Sequence, residues 1–265
     1  MHPILFQFGP LTIHTFGVLV GLGFVAGLWV AGRRARAAGL NPDVVQDLVF
    51  PWILVGGLVG ARLWYVASYW QRDFAGHPVS EALQIWRGGL VFYGGLAGAF
   101  LAATYRIRRL RLPYWKVADA LAPGIALGHV FGRLGCLLNG CCHGRPTDLP
   151  WAIRYPRGVI PFDTPVHPAQ LYEAGLNLLL CGALVGLHAR RRFDGQVFGG
   201  YLVAYAFIRS VSEYFRGDYD RLSEPARLVL TPGQATSAVI LLAGLAVLGW
   251  CRRGTGHPKP AAPPR

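Results

Sequence analysis

The sequence predicts an all-α polytopic membrane protein with about seven transmembrane helices and an extracytoplasmic loop region. Three observations support this prediction. Of the 265 residues, 53% are hydrophobic and only 15% are charged, whereas soluble globular proteins carry about 25% charged residues. The apolar residues fall in long blocks, and the basic residues collect in alternate loops between those blocks. A soluble domain and a disulfide-stapled miniprotein are both excluded by this pattern.

Seven segments are long and apolar enough to cross a bilayer as helices. They lie near 13–32, 47–68, 89–105, 117–138, 169–188, 196–212 and 235–251. The first segment is too long for a cleaved signal peptide and lacks its charged n-region, so we expect it to remain as a helix. We expect residues 1–252 to form a single transmembrane domain and residues 253–265, rich in Pro and Ala, to form a disordered tail.

The distribution of Arg and Lys predicts the orientation in the membrane. The loops after the first, third, fifth and seventh spans hold the larger share of these residues, whereas the basic residues of the other loops are nearly balanced by Asp and Glu. Cytoplasmic loops are enriched in Arg and Lys. We therefore expect an extracytoplasmic N-terminus and a cytoplasmic C-terminus. The net charge of +13 reflects this asymmetry, and we expect no nucleic-acid partner.

Three arginines lie inside predicted spans, where charged groups are costly and are usually functional or paired. For Arg62, a packing role and a functional role remain equally open. Arg133 and Arg209 lie on two spans that both run outward, so both approach the outer leaflet. Glu213 and Arg216 share the helical face of Arg209. Two guanidiniums at that depth predict a site for the phosphate of a phospholipid headgroup.

Two further motifs have more than one interpretation. The glycine-rich run at 88–95 opens the third span, where it can expose N–H groups to a ligand or pack against another helix. Cys136, Cys141 and Cys142 lie close together before His143, which leaves apolar packing, a disulfide or a metal site open. We expect no metal site, because adjacent cysteines point in different directions on a helix or strand.

Several of these segments, taken together, resemble the prolipoprotein diacylglyceryl transferase family of bacterial inner membranes. The run 132–140, Gly-Arg-Leu-Gly-Cys-Leu-Leu-Asn-Gly, followed by Gly144 and Arg145, is the most specific segment. The other segments that carry the resemblance are 9–17, 60–62, 88–95, 167–173 and 205–216. Their order and spacing match the family over most of the chain.

The resemblance implies a reaction and its partners. Enzymes of this family move the diacylglyceryl group of phosphatidylglycerol to the lipobox cysteine thiol of a prolipoprotein signal peptide, forming a thioether and releasing glycerol 1-phosphate. We therefore expect a transferase that acts in the lipid bilayer of the bacterial inner membrane, with residues 1–252 as its catalytic domain. The resemblance implies no cofactor, and no nucleotide-binding motif is visible in the sequence.

The resemblance also implies roles for individual residues. It makes Arg133 the arginine that binds phosphatidylglycerol and Arg209 a second essential arginine. The remaining residues that match the family pattern, which we expect to contact substrate, are Asn139, Arg145, Tyr205, Glu213 and Arg216, together with Gly94 and Gly95 of the glycine-rich run.

The chain departs from the family at positions that bear on thiol activation. Tyr93 replaces a histidine that is proposed as a base, and Cys136 and Cys141 replace an asparagine and a glutamate. We expect Tyr93 to be catalytic and His14 to contact substrate, unless the arginines alone activate the thiol. The alternative functions are a divergent relative that uses the three cysteines for thiol or metal chemistry, and an anion transporter.

Overall fold

The computed structural model describes residues 4–8, 11–75, 79–85, 88–161, 163–217 and 231–254. The described chain is almost entirely helical. Its long helices are α1 (Thr15–Ala37), α3 (Leu54–Tyr69), α4 (Phe92–Arg109), α5 (Tyr114–Asn139), α6 (Ala169–Arg190), α7 (Gln196–Phe215) and α8 (Pro232–Gly254), and a short α2 (Pro42–Asp47) precedes α3. Each long helix coincides with one predicted span, which confirms the predicted all-α polytopic fold.

Five helical segments of the described chain are long and apolar enough to cross a membrane. They are Thr15–Ala37, Pro42–Phe74, Tyr114–Asn139, Ala169–Arg190 and Gly233–Arg253. The remaining long helices, α4 and α7, are shorter or more polar. The last helix continues to Gly254, so residues 253 and 254 are helical rather than part of the predicted tail. Residues 255–265 lie outside the described residues.

The second predicted span is not a single regular α-helix. A π-helical segment, Leu48–Ile53, contains Pro51 and joins α2 to α3, and a second π-helical segment, Trp70–Phe74, follows α3. Proline has no N–H and its ring clashes with the carbonyl four residues before it. A π-helical turn accommodates such a residue without ending the helix, so the span continues across the proline.

A β-hairpin precedes the first long helix and was not predicted. Its strands, β1 (Ile4–Phe8) and β2 (Leu11–His14), pair antiparallel, with Phe6 opposite Ile13. Apolar and polar residues alternate only weakly in this short stretch, so the period-two signal of a strand is faint.

The chain forms two compact units. The second unit comprises Ala35–Val117, and in it α3 and α4 pack through small residues. A Cβ on Gly60 would lie 2.8 Å from the Cα of Gly98, so only glycine permits this approach. Gly94 is buried at the same contact. Close packing of small residues is a common means of helix association in membranes.

Arg62 has a structural role within this unit. Its guanidinium donates hydrogen bonds to the carbonyl oxygens of Glu81, Ala82, Gly88 and Gly89, at 2.7 to 3.2 Å. Gly88 and Gly89 have φ angles of 85° and 74°, which only glycine adopts readily. Arg62 therefore holds the segment before α4 against α3, and its donors are used by the backbone rather than by a ligand.

The first unit comprises Met1–Arg34 and Ala118–Arg265. Its core lies where α5, α6 and α7 meet, and the buried residues there are Ala122, Ala126, Leu180, Cys181, Leu184, Val197 and Tyr201. Helix α1 approaches α5 closely at Gly27. A Cβ at this position would lie 2.7 Å from the carbonyl oxygen of Gly124. This unit positions the candidate site.

Asp119 of α5 caps the N-terminus of α7. Its buried carboxylate accepts hydrogen bonds from the backbone N–H groups of Gly195 and Phe198, both at 2.8 Å. The first N–H groups of a helix have no partner within the helix, so this distant side chain replaces a local cap.

We expect Asp119→Ala to lower the free energy of unfolding by about 3 kcal/mol, because it removes two hydrogen bonds to a charged group and leaves their donors unsatisfied. Thermal unfolding of the detergent-solubilised chain measures this loss. Asp194→Ala is the control, since Asp194 has an exposed carboxylate and should change stability by less than about 0.5 kcal/mol. Equal losses in both variants would contradict the capping role.

Candidate active site

The candidate site begins with three buried polar residues in the first half of α6. Gln170, Glu173 and Asn177 are 1%, 3% and 0% exposed, and they lie on one face of the helix, three or four residues apart. The Asn177 amide donates a hydrogen bond to the carbonyl oxygen of Glu173 at 2.8 Å. Burying polar groups on an apolar helix costs free energy unless they have partners. The partners of the Glu173 carboxylate are arginines.

Arg133 of α5 forms an ion pair with Glu173. The distance from its Nη2 to Oε1 of Glu173 is 2.9 Å, and the two side chains are 18% and 4% exposed. The Arg133 guanidinium also lies within electrostatic range of Tyr205 of α7. The ring of Tyr205 stacks on His129 with centroids 4.9 Å apart. Arg133 is therefore held by partners on two neighbouring helices.

Arg209 of α7 forms a second ion pair, with Glu213 one turn later on the same helix. Its Nη2 lies 2.8 Å from Oε2 of Glu213, while its Nη1 is buried without a hydrogen-bond partner in the described part of the chain. A Cβ on Gly233 would lie within 2.6 Å of both Glu213 carboxylate oxygens. The carboxylate thus sits against the first turn of α8, where the helix dipole favours an anion.

The structure brings three of the predicted arginines together. The guanidiniums of Arg133, Arg209 and Arg216 all lie within electrostatic range of the Glu173 carboxylate. Three guanidiniums face the two carboxylates of Glu173 and Glu213, so the group keeps a net positive charge. We call these five residues the arginine cluster. It lies at the C-terminal ends of α5 and α7 and the N-terminal ends of α6 and α8, which is one end of the bundle.

Three cysteines lie beside this cluster. The sulfur atoms of Cys136, Cys141 and Cys142 are all within 4.8 Å of one another, and all three side chains are partly buried free thiols. The expectation that Cys141 and Cys142 point in different directions is wrong. Cys142 has a left-handed backbone with φ of 57°, which turns its side chain back towards the other two.

The segment that carries Cys141 and Cys142 is held by its neighbours. The Gln170 amide donates hydrogen bonds to the carbonyl oxygen of Cys141 and to the Tyr155 hydroxyl, both at 2.8 Å. Nη2 of Arg216 lies 3.8 Å from the Cys142 sulfur, and the Cys141 thiol donates to the carbonyl oxygen of Cys136 at 3.7 Å. This segment is therefore a fixed part of the site rather than a free loop.

Arg145 belongs to the loop between α5 and α6, which also carries Tyr155 and His167. The Arg145 guanidinium lies over the ring of Tyr214, 4.1 Å from its centroid. Burial raises the pKa of Tyr155, so its hydroxyl stays protonated at neutral pH. Burial, with the Arg145 cation, lowers the pKa of His167. The neutral imidazole of His167 lies 3.3 Å from the Tyr172 hydroxyl.

Other predicted site residues are not joined to the arginine cluster by the described contacts. His14 ends β2 with an exposed side chain, and no described contact links it to the cluster. Tyr93 belongs to the second unit, where its ring is 53% exposed and lies 5.8 Å from that of Phe92. Gly94 and Gly95 face α3, which favours the packing interpretation of the glycine-rich run. The proposed roles of these four residues stay predictions.

Glu173 and Gln170 are the residues that the sequence analysis missed as site residues. A signal was available, because polar residues at helical spacing inside an apolar span indicate a buried polar face. That face has no obvious partner in the sequence, since Arg133 and Arg209 are far away along the chain. Tyr155 could not have been found in this way, because it lies in an irregular loop.

Comparisons with known proteins agree with this geometry. The family model for prolipoprotein diacylglyceryl transferase matches residues 3–250. A phosphatidylglycerol–prolipoprotein diacylglyceryl transferase of Legionella pneumophila (strain Corby) is 37% identical over 257 residues, which cover 96% of this chain and 98% of the relative. A protein of the same name from Chromohalobacter salexigens is 36% identical, over 95% of this chain and 92% of the relative. Another, from Nitrosomonas europaea, is 34% identical, over 98% of this chain and 93% of the relative. The chain belongs to the prolipoprotein diacylglyceryl transferase family.

Proposed function

We propose that this chain transfers the diacylglyceryl group of phosphatidylglycerol to the lipobox cysteine thiol of a prolipoprotein signal peptide, which forms a thioether and releases glycerol 1-phosphate. The observation that carries the proposal is the arginine cluster, with a buried donor of Arg209 that has no partner in the described residues. An unsatisfied buried donor is costly, and a phosphate oxygen is the acceptor that a guanidinium binds best.

The reaction requires stabilisation of a phosphate leaving group. As the bond between the glyceryl carbon and the phosphate oxygen breaks, negative charge grows on that oxygen. Fixed donors in a water-poor site stabilise such charge strongly, and one donor contributes about 10²- to 10³-fold in rate. Arg133 and Arg209 are both held by carboxylates, so they do not need to reorganise when the charge develops.

The other predicted residues have roles around this pair. Arg216 extends the positive charge towards the cysteines, and we place the Tyr205 hydroxyl beside Arg133 as a second substrate contact. We assign Asn139, Arg145 and Glu213 to substrate binding with these residues. For Gly94 and Gly95, which pack against α3, substrate binding stays a prediction from the family resemblance. Tyr93 and His14 are the candidates for proton transfer that the sequence offers. Residues 1–252 form the catalytic domain in this proposal.

The proposal includes a location and an orientation. The enzyme lies in the bacterial inner membrane with an extracytoplasmic N-terminus and a cytoplasmic C-terminus, as the loop charges predict. The arginine cluster then faces the outer leaflet, since α5 and α7 run outward and end there. The proposal therefore requires that the lipid headgroup and the lipobox thiol both reach this depth. The proposal does not extend to the disordered cytoplasmic tail that the sequence predicts at 253–265.

An anion transporter is not favoured. A transporter needs polar groups along the depth of several helices, whereas the described site groups gather at one end of the bundle. A divergent relative without transferase activity is not favoured either, because the family model and the three relatives named above carry the transferase name.

The test is thioether formation by the purified full-length chain with phosphatidylglycerol vesicles and a lipobox peptide, followed by mass spectrometry. We expect a product with the mass of a diacylglyceryl thioether, and none with a peptide that has serine at the lipobox position. Arg133→Ala should abolish the product. Arg190→Ala is the matched control, because Arg190 is an exposed arginine in the last turn of α6. Absence of product from the unmutated chain, or full activity of Arg133→Ala, would contradict the proposal.

A further inference from the structure

The three cysteines have the geometry of a metal site. Their sulfur atoms lie within 4.8 Å of one another, and the sulfurs of a tetrahedral zinc thiolate site are about 3.8 Å apart for Zn–S bonds of about 2.3 Å. Small side-chain rotations therefore suffice to place all three around one ion. Each thiol is partly accessible, so an ion and a substrate can reach them.

The site has three donors and no fourth. Within the described residues, no further Cys, His, Asp or Glu joins the group formed by Cys136, Cys141 and Cys142. Structural zinc sites use four protein ligands, whereas catalytic zinc sites use three and leave one position for water or substrate. Three thiolates with one open position are therefore typical of a zinc ion that acts on a ligand.

The neighbouring charges suit such a site. Zn²⁺ with three thiolates carries one net negative charge, and a fourth thiolate adds another. Nη2 of Arg216 lies 3.8 Å from the Cys142 sulfur, and Arg133 interacts electrostatically with Cys136 and Cys142. These cations stabilise a negatively charged zinc site. Hydrogen bonds to metal ligands orient them, and the Arg216 guanidinium donates such a bond to the Cys142 sulfur.

We propose that Cys136, Cys141 and Cys142 bind a zinc ion whose fourth position takes the thiol of the peptide substrate. This inference rests on the proposed transferase function. It accounts for the activation of the peptide thiol, because a thiol bound to zinc is deprotonated outright.

The peptide thiol gives up its proton when its sulfur binds zinc. The sulfur then forms a bond to the glyceryl carbon as the bond from that carbon to the phosphate oxygen breaks, and the electron pair leaves on the phosphate. The proton lost from the thiol is taken up by the released glycerol phosphate or by water. The thioether sulfur is a weaker ligand than a thiolate, so the product leaves the zinc.

The first experiment measures metal content and ligand exchange in the purified full-length chain. Elemental analysis should give about one zinc per chain, with little zinc in Cys141→Ser or Cys142→Ser. Cys181→Ser is the matched control, because Cys181 is a buried thiol of α6 outside the cluster, and it should keep the zinc. In the chain loaded with Co²⁺, the lipobox peptide should change the visible spectrum, whereas the peptide with serine should not.

The second experiment separates this inference from the proposed function. Chelation of the metal should lower thioether formation at least tenfold, and added Zn²⁺ should restore it. Unchanged turnover by the metal-free chain would overturn the zinc site and leave the transferase function intact. One bound zinc and a peptide-dependent cobalt spectrum without any thioether would instead refute the transferase function. A disulfide between two of the three cysteines in the active, unreduced protein, detected by mass spectrometry, would also overturn the zinc site.

Discussion

Arg209→Lys should slow diacylglyceryl transfer about 100-fold while the protein keeps its charge and fold. Lysine retains the positive charge but loses the planar fork of the guanidinium. In the structure, one side of that fork binds Glu213 at 2.8 Å and the other, Nη1, is buried without a partner in the described residues. A lysine can serve only one of these two positions. The loss corresponds to about 2.7 kcal/mol of transition-state stabilisation.

The measurement is kcat/KM for phosphatidylglycerol at a fixed peptide concentration. Arg190→Lys is the matched control, since Arg190 is exposed at the opposite end of α6, and its rate should stay within twofold of the unmutated chain. If Arg209→Lys turns over at the normal rate, the fork geometry is dispensable and Arg209 contributes only charge.

Glu173→Gln should lower both stability and activity. The Glu173 carboxylate is 3% exposed and lies among the guanidiniums of Arg133, Arg209 and Arg216. Its neutralisation leaves Arg133 without a counter-charge in a buried position. Removal of one partner of a buried ion pair costs about 3 to 5 kcal/mol. We expect a lower midpoint of thermal unfolding and a transfer rate reduced at least 100-fold.

A double variant separates the two effects. Arg133→Met combined with Glu173→Leu removes both charges, and apolar replacement of a whole buried pair is often neutral for stability. We therefore expect the double variant to recover most of the lost thermal stability and to remain inactive. Recovery of activity would show that the pair serves folding alone. A double variant as unstable as Glu173→Gln would show that the pair is not an independent unit.

The helices of this protein were predictable because the bilayer imposes a simple rule. A spanning segment must satisfy its own backbone hydrogen bonds and present apolar side chains, so each of the seven long helices has a visible signal in the sequence. Two local features were not predicted, because they depend on a single residue and on a weak pattern. Pro51 produced a π-helical segment, and the hairpin formed by β1 and β2 had too weak an alternation to be recognised.

The site was only partly predictable. Arg133 and Arg209 were found because a charge inside an apolar span is conspicuous, and Arg62 was equally conspicuous. The direction of their spans set Arg133 and Arg209 apart from Arg62, whose role the sequence left open. In the structure, Arg62 donates to backbone carbonyls, whereas Arg133 and Arg209 pair with carboxylates. The partners decide the role, and those of Arg62 and Arg133 lie on other segments of the chain.

Local pattern therefore predicted the number, position and type of the long helices and the membrane setting, and the resemblance of several motifs predicted the family. Tertiary structure alone decided which charges meet, because the ion pair of Arg133 with Glu173 and the clustering of Cys136 with Cys141 and Cys142 depend on how helices pack and on one left-handed residue. Burial of apolar surface follows from composition and is non-directional. A hydrogen bond or an ion pair requires particular atoms at about 3 Å, and only the folded arrangement of distant segments supplies that distance.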